Sequence, residues 1–253
     1  MRRIVTTLLV CSALFGASTD AAAQTPWEDR VFINIGFGVE SGSSTLADTK
    51  PVSIYEEAGS VSTSSTYTSG SLFDAGIGVR IWKNLSVGAG YHQEQNTADI
   101  EVTGSAPHPV FFNTPRSFSA TAGGDQFRKE RAMHLQVGWM VPFGTKLDVL
   151  LFAGPSFFRL EQPVVSAVTI SEVGAPYTEV LANATVASRK KSMVGYNVGA
   201  DVSYMMWQND SVRVGGGVFL RYAAASTTVL LLQSEHDTTA GGLQFGFGAR
   251  FRF

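Results

Sequence analysis

Beyond residue 27, apolar residues recur at every second position in eight separate stretches, the period of a β-strand with two unlike faces. The final stretch shows it most cleanly. Leu243, Phe245, Phe247, Ala249, Phe251 and Phe253 share one face, and Gly242, Gln244, Gly246, Gly248, Arg250 and Arg252 the other. The same division appears over 31–39, 73–81, 85–91, 133–141, 147–153, 194–204 and 212–220. The stretch at 147–153 is the least clean, because Leu150 and Phe152 fall on the otherwise polar face. Three connections are short, at 83–84, 142–146 and 206–210, and four are long, at 41–70, 93–130, 162–190 and 223–240. The long ones are rich in Ser, Thr, Gly and Pro and are expected to be loops, with 164–170 and 177–186 able to pair as a hairpin above the barrel. Alternating short and long connections are the wiring of bacterial membrane barrels, with short turns in the periplasm and long segments outside.

Period two alone suits a soluble barrel or sandwich as well, with the apolar face turned inward. Two features favour the inverse. The non-apolar face is full of glycine, as at Gly36 and Gly38, Gly76 and Gly78, Gly88 and Gly90, Gly215 and Gly217, and Gly246 and Gly248. In the narrow interior of a small barrel glycine makes room for neighbouring Arg, Asp, Gln and His, whereas on a solvated face it only weakens the strand. The four tryptophans, Trp27, Trp82, Trp139 and Trp207, also fall near the same end of their strands, as an interfacial aromatic belt requires. The expectation is an all-β, antiparallel, up-and-down transmembrane barrel of eight strands.

Composition agrees. Apolar residues make up 44% and charged residues 16%, against about 25% charged in soluble domains. Past the N-terminus no run approaches the roughly 20 apolar residues of a membrane helix. A net charge of -2 leaves no basic field that would draw nucleic acid. At the N-terminus, Arg2 and Arg3 precede an apolar run over 4–16 and small residues Ala21, Ala22 and Ala23, the pattern of a signal peptide cleaved after residue 23. The barrel domain is then 24–253. Cys11 lies inside the signal, so the barrel has no disulfide to draw on.

The ending Gly248-Ala249-Arg250-Phe251-Arg252-Phe253 resembles the assembly signal of outer-membrane proteins, with Gly248, Phe251 and Phe253 as its marks. Gly246 departs from that pattern, where a polar residue is usual. Taken together, 28–253 resembles the outer-membrane β-barrel domain family of small eight-stranded barrels, which includes the transmembrane part of outer-membrane protein A. The resemblance implies location in the bacterial outer membrane, contact with lipid and lipopolysaccharide, and insertion by the barrel-assembly machinery through the last strand. It does not imply one activity.

The inward face carries Asp74, Arg80, Asp148, Asp201, Arg213, Arg221 and Arg250. Opposite charges in a narrow lumen should pair, because unpaired they are costly to bury. The leading expectation is therefore a plugged, non-enzymatic, monomeric barrel with a structural or surface-contact role. A charged constriction of a small pore, or a side opening for small hydrophobic solutes, is the alternative. His92 and His134 lie on adjacent strands and face inward, within possible reach of Ser86 or Asp74, which keeps open a lipid-modifying hydrolase. No two histidines have metal-ligand spacing, and no metal or cofactor is expected. The apolar segment 107–112 is expected to fold over the barrel mouth or to meet a partner. Arg128, Lys129 and Arg131 lie where lipopolysaccharide phosphates would be, though a solvated strand end explains them as well.

Overall fold

The structure is a computed structural model that describes residues 27–41, 44–122, 125–230 and 235–253. The expected signal peptide at 1–23 lies outside the described residues. Twelve antiparallel strands follow in order: β1 (Val31–Ser41), β2 (Ser44–Ile54), β3 (Glu57–Tyr67), β4 (Gly70–Trp82), β5 (Leu85–Pro107), β6 (Pro115–Thr121), β7 (Phe127–Phe143), β8 (Leu147–Glu172), β9 (Val180–Gln208), β10 (Arg213–Leu230), β11 (Glu235–Ala240) and β12 (Leu243–Arg252). Pairing runs from β1 through β4, β5, β7, β8, β9, β10 and β12 and returns to β1. The ring is closed, so it has no free edge.

The ring joins the period-two stretches. Its outward positions are apolar: Phe37, Ile77, Leu135, Val194, Leu220 and Phe247 are all exposed, Phe247 at 66%. Inward positions are buried and include Ser86, His134, Asp201, Gln244 and Arg250. Such a surface is stable only in an apolar medium. Ten residues of β12 rise about 33 Å along the strand. At the ~35–45° tilt of such barrels this is roughly 23–27 Å along the normal, matching an apolar band of about 25 Å. Closure brings backbones close. A Cβ on Gly248 would run into the Ile35 carbonyl of β1, so the last strand seals the ring only with glycine there. The Phe253 amide donates to the Val31 carbonyl at 2.9 Å, closing the seam to its end.

Above the ring the structure corrects the expectation of loops. Much of 41–70, 93–130, 162–190 and 223–240 is strand, which is why the described residues form twelve strands where the alternation pointed to eight. β2 and β3 form a hairpin, β3 pairs with the outer half of β5, and β6 pairs with its tip. β8 and β9 continue their own ladder to Glu172 and Val180, so 164–170 does pair with its return strand. β11 folds back on β10. The sheet β2–β3–β5–β6 and the β8–β9 hairpin enclose an apolar core of Val61, Ile100, Val102, Phe118 and Val165, with Ile170 and Val186 against it.

The inside-outside phase of β5 never changes along its length. Its even positions point inward throughout. From Ser86 to Asn96 these are polar or glycine, and from Ala98 to Ala106 they are small or apolar apart from Gly104. The outward positions switch the other way, from Val87, Ala89 and Tyr91 to Gln93, Gln95, Thr97, Asp99 and Glu101. One strand thus passes from lipid to water near Tyr91.

The 107–112 segment does not fold over the barrel mouth. It is the tip between β5 and β6, where Val110, Phe111 and Phe112 are exposed. His108 Nδ1 accepts the Val110 and Phe111 amides at 3.1 Å each, which fixes the turn. Beside it Arg116 holds Glu172 through two 2.6 Å contacts and also donates to the carbonyls of Pro107 and Tyr177. This fork ties the tip of the β5–β6 hairpin to that of β8–β9.

Two outcomes are expected. Phe247→Arg, at mid-ring on the outward face, should lower stability by about 2–4 kcal/mol in lipid vesicles, read by denaturant unfolding; no loss would mean that this face meets water. At the tips, hydrogen bonding from Arg116 holds the Glu172 carboxyl below the ordinary carboxylate range. A depressed folded-state value stabilises the tips above the unfolded-state value, near 4.3 for Glu, and that contribution is lost as pH falls through the folded-state value. Amide protection of β6 and of 173–179, corrected for intrinsic exchange, should therefore weaken in acid, and Arg116→Met should remove that dependence.

Candidate functional site

The candidate site is the lumen, whose side chains form levels from the short-turn end outward. At the base, Trp27, Phe32, Met140, Leu150 and Phe152 make an apolar cluster. Trp27 is 1% exposed, so it lies inside the ring rather than on a belt around it. Two interactions draw it in: its indole donates to Asp29 at 2.8 Å, and Arg80 donates to its carbonyl. Trp82, Trp139 and Trp207 do face outward. Glycine makes room here for rings more than for charges. Phe32 lies over Gly78, Phe152 over Gly199, and Phe219 over Gly246, each where a Cβ would stand.

Charges are interleaved with this cluster, Arg252 lying opposite Phe32 and Asp201 opposite Leu150 in the ladders. Arg213 bridges Asp29 and Asp148, with the Asp148 contact at 3.0 Å. Arg250 grips Asp201 through Nε and Nη2, the latter at 2.5 Å. Arg252 donates to Asn34 at 2.7 Å and to Ser203 at 3.0 Å, and Ser203 donates to Asp201 at 2.6 Å. Higher up, Arg221 pairs with Asp74 at 2.6 Å and donates to Gln244 at 2.5 Å. Six of the seven lumen charges read from the sequence thus engage an opposite charge. Arg80 is the exception among them and binds a carbonyl. Asp29 and Arg252 were missed as partners, Asp29 because it precedes the first alternating stretch and Arg252 because it was read only as a polar-face residue. An internal cavity of about 30 Å³ remains beside Asp74, Arg221 and Phe219, the volume share of about one water.

The outer level was legible only in its two histidines, which the structure places inward on adjacent strands as expected. His92 and His134 sit at one height, their rings 4.9 Å apart and their Nδ1 and Nε2 atoms at 2.8 Å. His134 Nδ1 meets Ser156 Oγ at 2.7 Å, and Asn197 donates to the same hydroxyl at 2.9 Å. The expected partners differ: Ser86 donates to the Gly138 carbonyl, and Asp74 pairs with Arg221. On the other side of His92 lie Glu130, Glu40 and Glu94, all buried. Only His92 in this group stood out in the sequence. Glu40, Glu94 and Glu130 lie at or past the ends of the alternating stretches, where they read as solvated strand ends.

A Ser–His–His–Glu chain has the connectivity of a nucleophile and its base. Ser156, however, has no exposed surface, and neither the internal cavity nor the outer recess lined by Tyr91, Met133, Phe157 and Val194 reaches it. The arrangement can hold or pass a proton. At the same level Ala132, Phe158, Leu160, Met193 and Ala223 form a buried apolar cluster, with Ala132 opposite His92 and Leu160 opposite Glu130 in the ladders.

No family model and no curated protein matches the chain. Among solved structures, the fold is similar to that of the outer membrane protein OprG from Pseudomonas aeruginosa, with a TM-score of 0.50 and 10% sequence identity. The match covers 91% of this chain and 98% of that one. At this identity the likeness is one of fold: the chain has the fold of an outer-membrane β-barrel.

Breaking one partner of a buried pair leaves a stranded charge, at about 3–5 kcal/mol. Asp201→Asn should therefore destabilise the barrel by that order, read by urea unfolding in detergent, while the Asp201→Leu, Arg250→Met double variant should recover most of the loss. If the single variant unfolds like the unaltered chain, the pair is not holding the lumen.

Proposed function

We propose that the protein is a non-enzymatic, integral barrel of the bacterial outer membrane whose lumen is plugged, and that it acts through the strand-built module above the membrane. The observation that carries this reading is the filling of the lumen: two buried apolar clusters, one near each end, with paired charges interleaved between them. The fold likeness to an outer membrane protein supports the location, as does the export signal expected at 1–23. In this reading Trp82, Trp139 and Trp207 mark the periplasmic interface, and Gly248, Phe251 and Phe253 present the last strand to the assembly machinery. Lys129, Arg131 and Arg159 are outward and exposed just past the apolar band on β7 and β8. That height suits the phosphates of lipopolysaccharide.

A second reading has one specific observation behind it. The outward recess between β5, β7, β8 and β9, of about 420 Å³, is lined by Tyr91, Met133, Phe157 and Val194 and would admit an apolar solute. Side release from the lumen would need the β7–β8 wall to part. Pro155 gives no amide to that ladder, yet Gly154 lies so close to the Leu135 carbonyl that a Cβ would collide with it. The ladder lapses there between His134–Ser156 and Val137–Ala153, and the close backbone approach at Gly154 is what favours the plugged barrel.

Planar-bilayer conductance of the refolded chain separates the two. Protein shown to be folded by heat-modifiable migration should give no steady openings. Steady, ion-selective openings would overturn the plugged reading and make the lumen charges a pore lining.

A further inference from the structure

The outer level of the lumen has more acid than base. Glu40, Glu94 and Glu130 converge with His92 and are faced by one guanidinium, Arg128, whose Nη2 is 3.6 Å from Glu130 Oε2. Arg221, the next cation inward, is taken by Asp74 and Gln244. Three carboxylates buried together repel one another and lose hydration, so the cluster needs protons or a bound cation to offset its charge. The polar atoms show where that charge is missing. His92 Nε2, Glu130 Oε1 and Glu94 Oε1 are buried with no hydrogen-bond partner. His92 has no exposed surface and Glu130 is 3% exposed, and their two free atoms face each other at 3.4 Å.

From this geometry we infer that Glu40, His92 and Glu130, with Glu94 beside them, form a binding site for a divalent first-row cation, inside the outer end of the barrel. One ligand atom from each of the first three residues lies within 4.8 Å of the others. Around a tetrahedral ion with bonds of about 2.0–2.2 Å, ligand atoms lie roughly 3.3–3.6 Å apart. His92 Nε2 and Glu130 Oε1 already stand at that spacing, 3.4 Å, and a movement of about 1 Å by the Glu40 carboxylate closes the set. An imidazole with carboxylates suits zinc and its neighbours in the first transition row better than magnesium or calcium, which take oxygen alone.

The surroundings are those of a metal site. Glu40 is held by Gln244, whose Nε2 donates to Oε2 at 2.7 Å. Glu130 is steadied by Arg128 and the Gly241 amide. His92 is oriented through Nδ1 by His134, and His134 by Ser156. Such outer partners fix the tautomer of a ligating histidine. The relay can run either way. With protons on His92 Nδ1 and His134 Nδ1, each donates to the next acceptor, and His92 Nε2 presents its lone pair to the ion. With the ring protons on Nε2 instead, the Ser156 hydroxyl donates to His134, His134 to His92, and His92 points its N–H at Glu130. Cation binding therefore shifts ring protons along the relay without breaking it, which gives the buried Ser–His–His chain a role that needs no substrate. The spacing of ligands along the chain concealed the set, because its members come from β1, β5 and β7.

The test is titration of the full barrel, folded in detergent micelles, with zinc by calorimetry and with cobalt by visible absorption. The expected result is one equivalent per chain, with cobalt bands of a nitrogen and oxygen site. His92→Gln and Glu130→Gln should each weaken binding at least 100-fold. His134→Gln should weaken it roughly 10–100-fold, as expected of a residue that orients a ligand. A His108→Gln, His236→Gln double variant should leave it unchanged. Heat-modifiable migration shows which variants fold. Should His92→Gln and Glu130→Gln both fail to fold, X-ray absorption of the zinc-loaded unaltered chain decides, with one imidazole among oxygen donors expected. Three results overturn the inference: no saturable binding, binding that survives in folded His92→Gln and Glu130→Gln, or a zinc shell without imidazole.

Discussion

The constraint on which this structure depends is that a chain in lipid must pair every backbone amide and carbonyl within itself. A strand in water can leave an edge open, and one in hydrocarbon cannot. The ring answers by closing β12 on β1, and the close approach at Gly248 shows how little space the seam allows. Closure fixes the two faces. Outward positions meet lipid and become Val, Leu, Ile and Phe. Inward positions are polar and largely buried. Among them Arg250, Asp201, Ser203 and Arg252 exchange hydrogen bonds as a soluble core exchanges methyl contacts.

The same strands then leave lipid for water, and the residue pattern turns inside out around an unbroken backbone phase. On β5 the change takes place within a few residues of Tyr91. Below it, polarity is inside. Above it, Ile100 and Val102 join Val61 and Phe118 in an ordinary hydrophobic core. The upper module gains stability from water and the ring from lipid. Each needs its own solvent, which places the boundary between them firmly along the chain. The exposed apolar tip at Val110, Phe111 and Phe112 belongs to neither core, and the Arg116–Glu172 fork holds it at the far end of the molecule.

What could be read from the sequence follows from this division. Where lipid lies outside, alternation is strong, because bulky apolar residues face glycine and charge. The ring stretches and seven lumen charges stood out for that reason. Where water lies outside, the contrast fades. In β3, Val61 and Tyr67 are the only large apolar residues on the inward face, and Ser and Thr fill both sides, so the strand reads as a polar loop. Trp27 was placed by height along the chain, and height cannot say whether a residue before the first strand turns in or out. The Glu40–Glu94–Glu130 group shows a different limit. Each residue alone is an acid near a strand end, and only the staggered register of the ring brings the three to one level.

The ion pairs carry one further consequence for how the ring is specified. Alternation forbids a slip of one residue, which would turn every side chain to the wrong face. A slip of two keeps every face correct, and neighbouring strands alone distinguish it poorly. The lumen pairs do not join neighbours. Asp201 of β9 meets Arg250 of β12, Asp148 of β8 meets Arg213 of β10, and Asp74 of β4 meets Arg221 of β10. Each reaches across strands that share no ladder, so a two-residue slip anywhere in the ring strands several charges at once. Buried ion pairs add little net stability over apolar packing, but their loss is expensive and their geometry exacting. In a barrel whose outer surface tolerates any greasy residue, that property lets the polar interior select one register out of the many the outward face would accept.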